Sequence, residues 1–531
     1  MLAETVTTTT APPCANEIEL DPVGESASAG TSATAAGTST TAAASSLATR
    51  AAEWLDTGRG RRLICVTVAL QLAVVAGFAL VYRPLDLQVY LWGGRAVTEG
   101  VRLYLAQSHA NWFTYPPFAA ALFTPLAALP SVVVGTVWEL ASVAAFAWAC
   151  VLTVRLAGYR PNVALVLAMV AGGLLLEPIY HTLYLGQVNL FLLALVLADI
   201  WRAARGRHCG IGIGIATAIK LTPGIFIVLL LLTRRTKDAA TAAVTFACCS
   251  LIGFIVDPAA SLLYWRHVFY DTARVSAAYI SNQSPYAAEV RILGGASHVG
   301  VWYDLVPVVI GGIGLVVAAV LARRGDWLGA AAVTGIAGLM VSPISWTHHW
   351  VWVLPALVML CRGGRGSRIA AGCGYLLFAL APMWWTPHSG GGGDYGSHGL
   401  VTLIANCFLV AGLAFLGYVT VSTWRTRQHG GRRRQATSSG CSSTVSSRLK
   451  APFHRSRAAI SSSHVIGPSR SSSSVWPAGR CSSSTERLWL RLVNGSTPPS
   501  SVQATGPSVS TSRKTADVVI RRAGSSSSTK V

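Results

Sequence analysis

The sequence predicts an all-α polytopic membrane protein, and three observations lead there. Hydrophobic residues make up 52% of the 531 residues and charged residues 12%, with a mean hydropathy of +0.49. Those values belong to a chain solvated by lipid, not to the two to four soluble domains its length would allow. Long apolar runs recur from Leu63 onward, separated by arginine clusters. The net charge of +21 is not a nucleic-acid signal, because from Trp424 to the end 18 basic residues face 2 acidic ones and hold +16 of it.

Residues 1–58 are rich in Thr, Ala and Ser, and are expected to form a disordered cytoplasmic extension. No signal peptide is expected, because the first apolar run starts only near Leu63. Arg59, Arg61 and Arg62 precede that run, Leu63–Val81, so the N-terminus is placed inside and Asp86 emerges outside. The run Phe118–Leu129 is too short to cross. Spans follow at 131–154, 161–178 and 186–201, each ending on the side its arginines dictate.

Residues 209–232 sit between two arginine clusters, and a single crossing would leave one of them outside. Gly210, Gly212 and Gly214 precede Lys220 and Pro223 in the middle. Two half-helices forming a re-entrant hairpin from the cytoplasmic side satisfy the charges. Further spans are expected at 239–256, 304–322, 327–343, 346–361, 369–385 and 399–422. The count is about ten full crossings plus the hairpin pair, or 10–12 transmembrane helices, with both termini cytoplasmic. The transmembrane domain is drawn at 59–428, with external loops 82–117 and 257–302. The Ser/Arg-rich tail 429–531 is expected to be disordered. The eleven cysteines show no CxxC or Cys/His spacing and read as small packing residues.

Function is placed in the connection Tyr82–Pro117, whose length and aromatic content exceed those of a tether. Asp86 is its candidate general base, since a base must keep its charge and meet an acceptor hydroxyl. Lys220, one of five lysines in the chain, lies deep in a membrane segment, where a charge faces a cavity, a partner or the interface. His348 and His349 follow a break at Ser342-Pro343. Neighbours on a helix diverge by about 100°, so they suit a phosphate or sugar hydroxyl better than a shared metal. Gln187 and Asn189 open a span with amides that suit sugar hydroxyls or helix packing. Asn282, Gln283 and Arg291 are candidates to read sugar and phosphate, and Tyr90, Trp92 and Tyr115 to stack on sugar rings. No D-x-D pair, P-loop or GxGxxG stands in a suitable context, so no metal and no cofactor is expected. An external acid without a metal pair suits a donor whose leaving group is one lipid-borne phosphate.

The pieces LDLQVY around Asp86, FTYPPF with PLAALP, GQVN, AIKLTP, NQS with Arg291, and SPISWTHHW occur in order across roughly 63–425. In these the chain resembles glycosyltransferase family 87, the polyprenol-phosphate-mannose-dependent α-(1→2)-mannosyltransferases. The resemblance implies a GT-C type fold in the plasma membrane with an extracytoplasmic active site. It implies a polyprenyl-phosphate-mannose donor and a mannosylated lipid or lipoglycan acceptor, such as a phosphatidylinositol mannoside or lipomannan. Asp86 would deprotonate the acceptor, and His348, His349, Lys220 and Arg291 would stabilise the departing phosphate. The alternatives are a flippase of a lipid-linked sugar, with its site at Lys220–Pro223, and an accessory scaffold of envelope assembly.

Overall fold

The computed structural model describes Trp54 and residues 57–442, except 109, 389–394, 396 and 397; from 426 on, only the backbone is described. Most of the expected N-terminal extension and most of the tail lie outside these residues. The architecture is helical. The chain runs α1 Gly58–Val81, α2 Leu85–Glu99, strands β1 Gln107–Ser108 and β2 Asn111–Trp112, α3 Pro117–Ala127, α4 Ser131–Leu156, α5 Val163–Gly173 and α6 Glu177–Leu185. It continues with α7 Asn189–Ala204, α8 Ile211–Ile219, α9 Ile225–Leu232, α10 Thr236–Val256, α11 Pro258–Arg266 and α12 Pro285–Leu293. Last come α13 Leu305–Arg323, α14 Trp327–Val341, α15 Val353–Cys361, α16 Arg365–Leu380, α17 Leu400–Ala405 and α18 Cys407–Ser442. α18 therefore runs past the boundary drawn at 428.

Among the described residues, five helices are long and apolar enough to cross a membrane: Gly58–Val81, Ser131–Leu156, Thr236–Val256, Val301–Arg323 and Cys407–Arg425. A sixth span arises if α5 and α6, bent by 75°, count as one. The ten crossings drawn from charge alternation are thus not all carried by full-length helices. α7, α14 and α16 have 16, 15 and 16 residues, short of the roughly 20 a crossing needs. The expected span 161–178 breaks after Gly173, and Pro178, with no N–H to give, sits in the first turn of the new helix. The span expected to end at 385 stops at Leu380, where Ala381 turns left-handed (φ 43°).

The connection 82–117 is helical in its first half and holds turns and a two-stranded ribbon in its second. α2 fills its first half and ends on the left-handed Gly100. It lies directly on the short α3: a Cβ at Gly94 would stand 2.8 Å from the Phe123 backbone. This close approach turns the loop into a fixed platform that carries Asp86 in its first turn.

The hairpin over 209–232 is present. Ile213 N–H is accepted by Asp199 Oδ2 at 2.9 Å and Cys209 N–H by Asp238 Oδ1 at 3.1 Å, which satisfies groups at the start of α8 that the helix cannot. At this same end, Arg235 Nη2 donates to Arg207 O at 2.6 Å, so both arginine clusters meet. Lys220 is at the tip, in extended backbone between α8 and a 3₁₀ turn at Thr222–Gly224. Its amine donates to Asn189 Oδ1 at 3.0 Å, at the start of α7.

Candidate active site

Gly186 begins the site. It ends α6 at φ +69°, and a Cβ there would stand 2.8 Å from Cβ of both Pro84 and Leu87. The α6–α7 corner therefore presses on the first turn of α2, which sets Gln187 beside Asp86. Gly186→Ala is expected to cost about 2 kcal/mol or more, since a side chain is strained at this φ and meets α2. A lowered melting temperature in detergent, with weakened activity, is the expected measurement. A variant as stable and active as wild type would contradict the packing.

Gln187 is buried and bridges two elements. Its Nε2 donates to Asp86 Oδ2, while its Oε1 lies 2.8 Å from Tyr90 Oη and 3.0 Å from Tyr115 Oη. The two phenols are 2.7 Å apart. Burial pushes both phenols well above their ordinary pKa, with the Asp86 charge adding to it, so they remain donors. The two hydroxyls have two protons for these three contacts, so at least one donates to Oε1; that fixes the amide orientation, and with it the N–H directed at Asp86. Asp86 itself is only partly covered. Burial raises its pKa, while the Gln187 bond and the nearby Lys220 and His181 charges pull it down.

Beside this carboxylate stands a basic group. Lys220 Nζ lies 2.8 Å from His349 Nε2 and 5.5 Å from the Tyr115 ring centroid. His348 and His349 diverge, with ring centroids 4.7 Å apart and planes at 85°. The His348 backbone carbonyl accepts from Asn189 Nδ2 at 2.9 Å and from Thr182 Oγ1 at 3.0 Å. From Lys220, Asn189 and His349 a narrow cleft, with a cavity volume of about 30 Å³, runs between α7, the hairpin tip and α14, walled by Phe226, Leu339 and Trp352. Its polar groups are gathered at one end. Among the described residues no three His, Cys, Asp or Glu side chains group to hold a metal ion.

Asp86, Tyr90, Tyr115, Gln187, Asn189, Lys220, His348 and His349 are thus brought together. Asn282, Gln283 and Arg291 are not. Asn282 and Gln283 are fully buried and committed to the protein. Asn282 Oδ1 accepts from Ser345 N–H at 2.8 Å, and Gln283 Nε2 donates to Ile280 O and Ala405 O, both at 2.8 Å. Arg291, 3% exposed, spends its guanidinium on the carbonyls of Ala278, Tyr279 and Asn282 and on Asn406 Oδ1. These three brace the segment that pairs with Ser345–Thr347, where Gln283 N–H meets Ser345 O and Thr347 N–H meets Ser281 O. They hold the histidine turn in place rather than face the cleft. The sequence reading missed Glu177. Its bond to His181, 2.8 Å away, had a visible signal in an acid four residues before a histidine.

The model of glycosyltransferase family 87 matches residues 113–343. Asp86, His348 and His349 fall outside that stretch. The chain is 35% identical over 317 residues to a polyprenol-phosphate-mannose-dependent α-(1-2)-phosphatidylinositol pentamannoside mannosyltransferase of Mycolicibacterium smegmatis, a match covering 56% of this chain and 75% of that one. It is 31% identical over 375 residues to a polyprenol-phosphate-mannose-dependent α-(1-2)-phosphatidylinositol mannoside mannosyltransferase of Mycobacterium tuberculosis, covering 64% and 86%. No solved structure matches the chain.

Proposed function

The chain belongs to glycosyltransferase family 87, and on that premise we propose that it moves mannose from polyprenyl-phosphate-mannose to a phosphatidylinositol mannoside, forming an α-(1→2) linkage. It is a membrane glycosyltransferase. The observation that carries the site assignment is one carboxylate, Asp86, held by Gln187 and set beside the Lys220–His349 pair at the polar end of an apolar cleft.

In this reading the acceptor hydroxyl gives its proton to Asp86 as its oxygen bonds to the anomeric carbon. The carbon–oxygen bond to phosphate breaks, and its electron pair stays on the phosphate oxygen. The phosphodiester monoanion becomes a monoester dianion, so one negative charge develops where Lys220 and His349 stand. Attack opposite the leaving group inverts a β-linked donor to an α product. Tyr90 and Tyr115 order the base through Gln187, and Asn189 holds Lys220. The reaction takes place on the outer face of the plasma membrane, with a GT-C type arrangement of helices. The flippase alternative has no relative named for it among those above.

Transfer from radiolabelled polyprenyl-phosphate-mannose in membranes, with linkage analysis of the product, tests this assignment. The expected outcome is α-(1→2)-mannosylated lipid. Because burial raises the Asp86 pKa and the base works only when ionised, transfer should fall as pH drops through a value above that of ordinary aspartate. An acid limb at or below the ordinary value would remove Asp86 from the role.

A further inference from the structure

α6 presents Glu177 and His181 four residues apart, on one face. His181 Nδ1 lies 2.8 Å from Glu177 Oε1 and 2.9 Å from Thr347 Oγ1. The indole of Trp384 donates to the same Glu177 oxygen at 3.1 Å. An indole N–H can only donate, so this oxygen is an acceptor and His181 Nδ1 carries the proton directed at it. Nε2 is then the ring nitrogen left for a substrate. Glu177 is 1% exposed, and its Oε2 has no partner. A carboxylate buried this deeply calls for a cation against it.

The His181 ring meets His348 edge-on, with centroids 5.3 Å apart. His348 is 4% exposed, and neither of its ring nitrogens has a partner. Its neighbour His349 reaches Lys220. Four basic side chains from α6, the histidine turn and the hairpin tip thus form one row, with Glu177 at its far end. The nearness of His181 to Asp86, whose ionisation it favours, sets this row alongside the base. The phosphate assigned above gains a charge during transfer, and a row of basic side chains that includes the two unpartnered nitrogens of His348 matches that change better than it matches the starting monoanion.

We propose that the phosphate cradle extends beyond Lys220 and His349 to His181, which, protonated on both nitrogens, donates Nε2–H to the leaving phosphate, and that Glu177, accepting from Nδ1, is the positioning residue that orients the ring and balances its charge. This rests on the reading that the donor is a prenyl phosphate sugar.

The test is a double-mutant cycle on the full-length chain in detergent, with polyprenyl-phosphate-mannose as donor and a phosphatidylinositol mannoside as acceptor. Glu177→Gln and His181→Gln should each lower kcat, on the order of 10- to 100-fold, with the acceptor KM unchanged. The double variant should be no worse than His181→Gln alone, because Glu177 acts through His181. Inhibition by the product polyprenyl phosphate should weaken about tenfold in both single variants, and Glu177→Asp should recover part of the loss. Losses that multiply, wild-type turnover in His181→Gln, or a raised acceptor KM with unchanged phosphate inhibition would overturn the proposal. Should His181→Gln not fold, the isosteric Glu177→Gln decides alone, and unchanged inhibition by polyprenyl phosphate sinks it. Asp86→Asn run alongside separates the two readings. Retained transfer there removes the base assignment, while the phosphate inhibition still judges Glu177 and His181.

Discussion

Asp86→Asn is expected to leave the protein folded in the membrane and to reduce mannose transfer on the order of 10³-fold or more. Asparagine has the same shape and its amide oxygen still accepts from Gln187, so the contacts of α2 with the α6–α7 corner survive. What is lost is the ability to take a proton. The acceptor hydroxyl must then attack as a neutral alcohol, while Lys220 and His349 remain in place for the phosphate. The measurement is initial rate at saturating donor and acceptor, with protein amount normalised by detergent-solubilised yield. Polyprenyl phosphate should inhibit as before, since the phosphate end of the site is untouched. Transfer within about tenfold of wild type would move the base elsewhere.

Lys220→Gln carries the second large effect. Glutamine retains a donor for Asn189 but no charge, so the developing phosphate dianion loses its nearest fixed cation. A fall in kcat of about 10²- to 10³-fold is expected, the range for removing one group that contacts developing charge. The pH profile should move as well. The Lys220 charge helps to keep Asp86 ionised; without it the Asp86 pKa rises, so the acid limb shifts to higher pH. Unchanged turnover with an unshifted limb would show that the amine serves the hairpin tip alone. Loss of folded protein is not expected. The hairpin is held at its other end, by Asp199, Asp238 and Arg235, and not by Lys220.

The hairpin shows how far one-dimensional information reached. Two arginine clusters around a largely apolar stretch, 209–232, with a central Lys and Pro admit few arrangements, because charges resist burial in lipid. The structure brings Arg207 and Arg235 together. The same logic overcounted full-length crossings. Apolar runs of 15 and 16 residues look like spans in a hydropathy profile. Whether each crosses alone depends on length, and on packing that a profile does not contain. α14, for example, is buried along most of its length.

Legibility in the site followed sequence distance. Asp86 stood out because an acid directly after an apolar run is conspicuous, and Lys220 because a charge inside one is costly. Arg291 and Gln283 looked equally polar and equally external in the sequence. The partners that tie them across the fold, Asn406 for the first and Ala405 and Phe408 for the second, lie more than a hundred residues away. Nothing local marks a side chain whose hydrogen-bonding capacity is already spent inside the protein.

The sequence by itself determined the membrane class, the turning-back of the chain over 209–232 and the family, because insertion energies and motif order are written along the chain. Only the tertiary structure decided that Gln187 links Asp86 to two tyrosines, that the Asn282 segment braces the histidine turn, and that Glu177 stands behind His181. Each depends on atoms within about 3 Å of each other, and most are brought there by helices far apart in the chain. Such contacts are fixed by packing geometry, which no residue pattern states on its own.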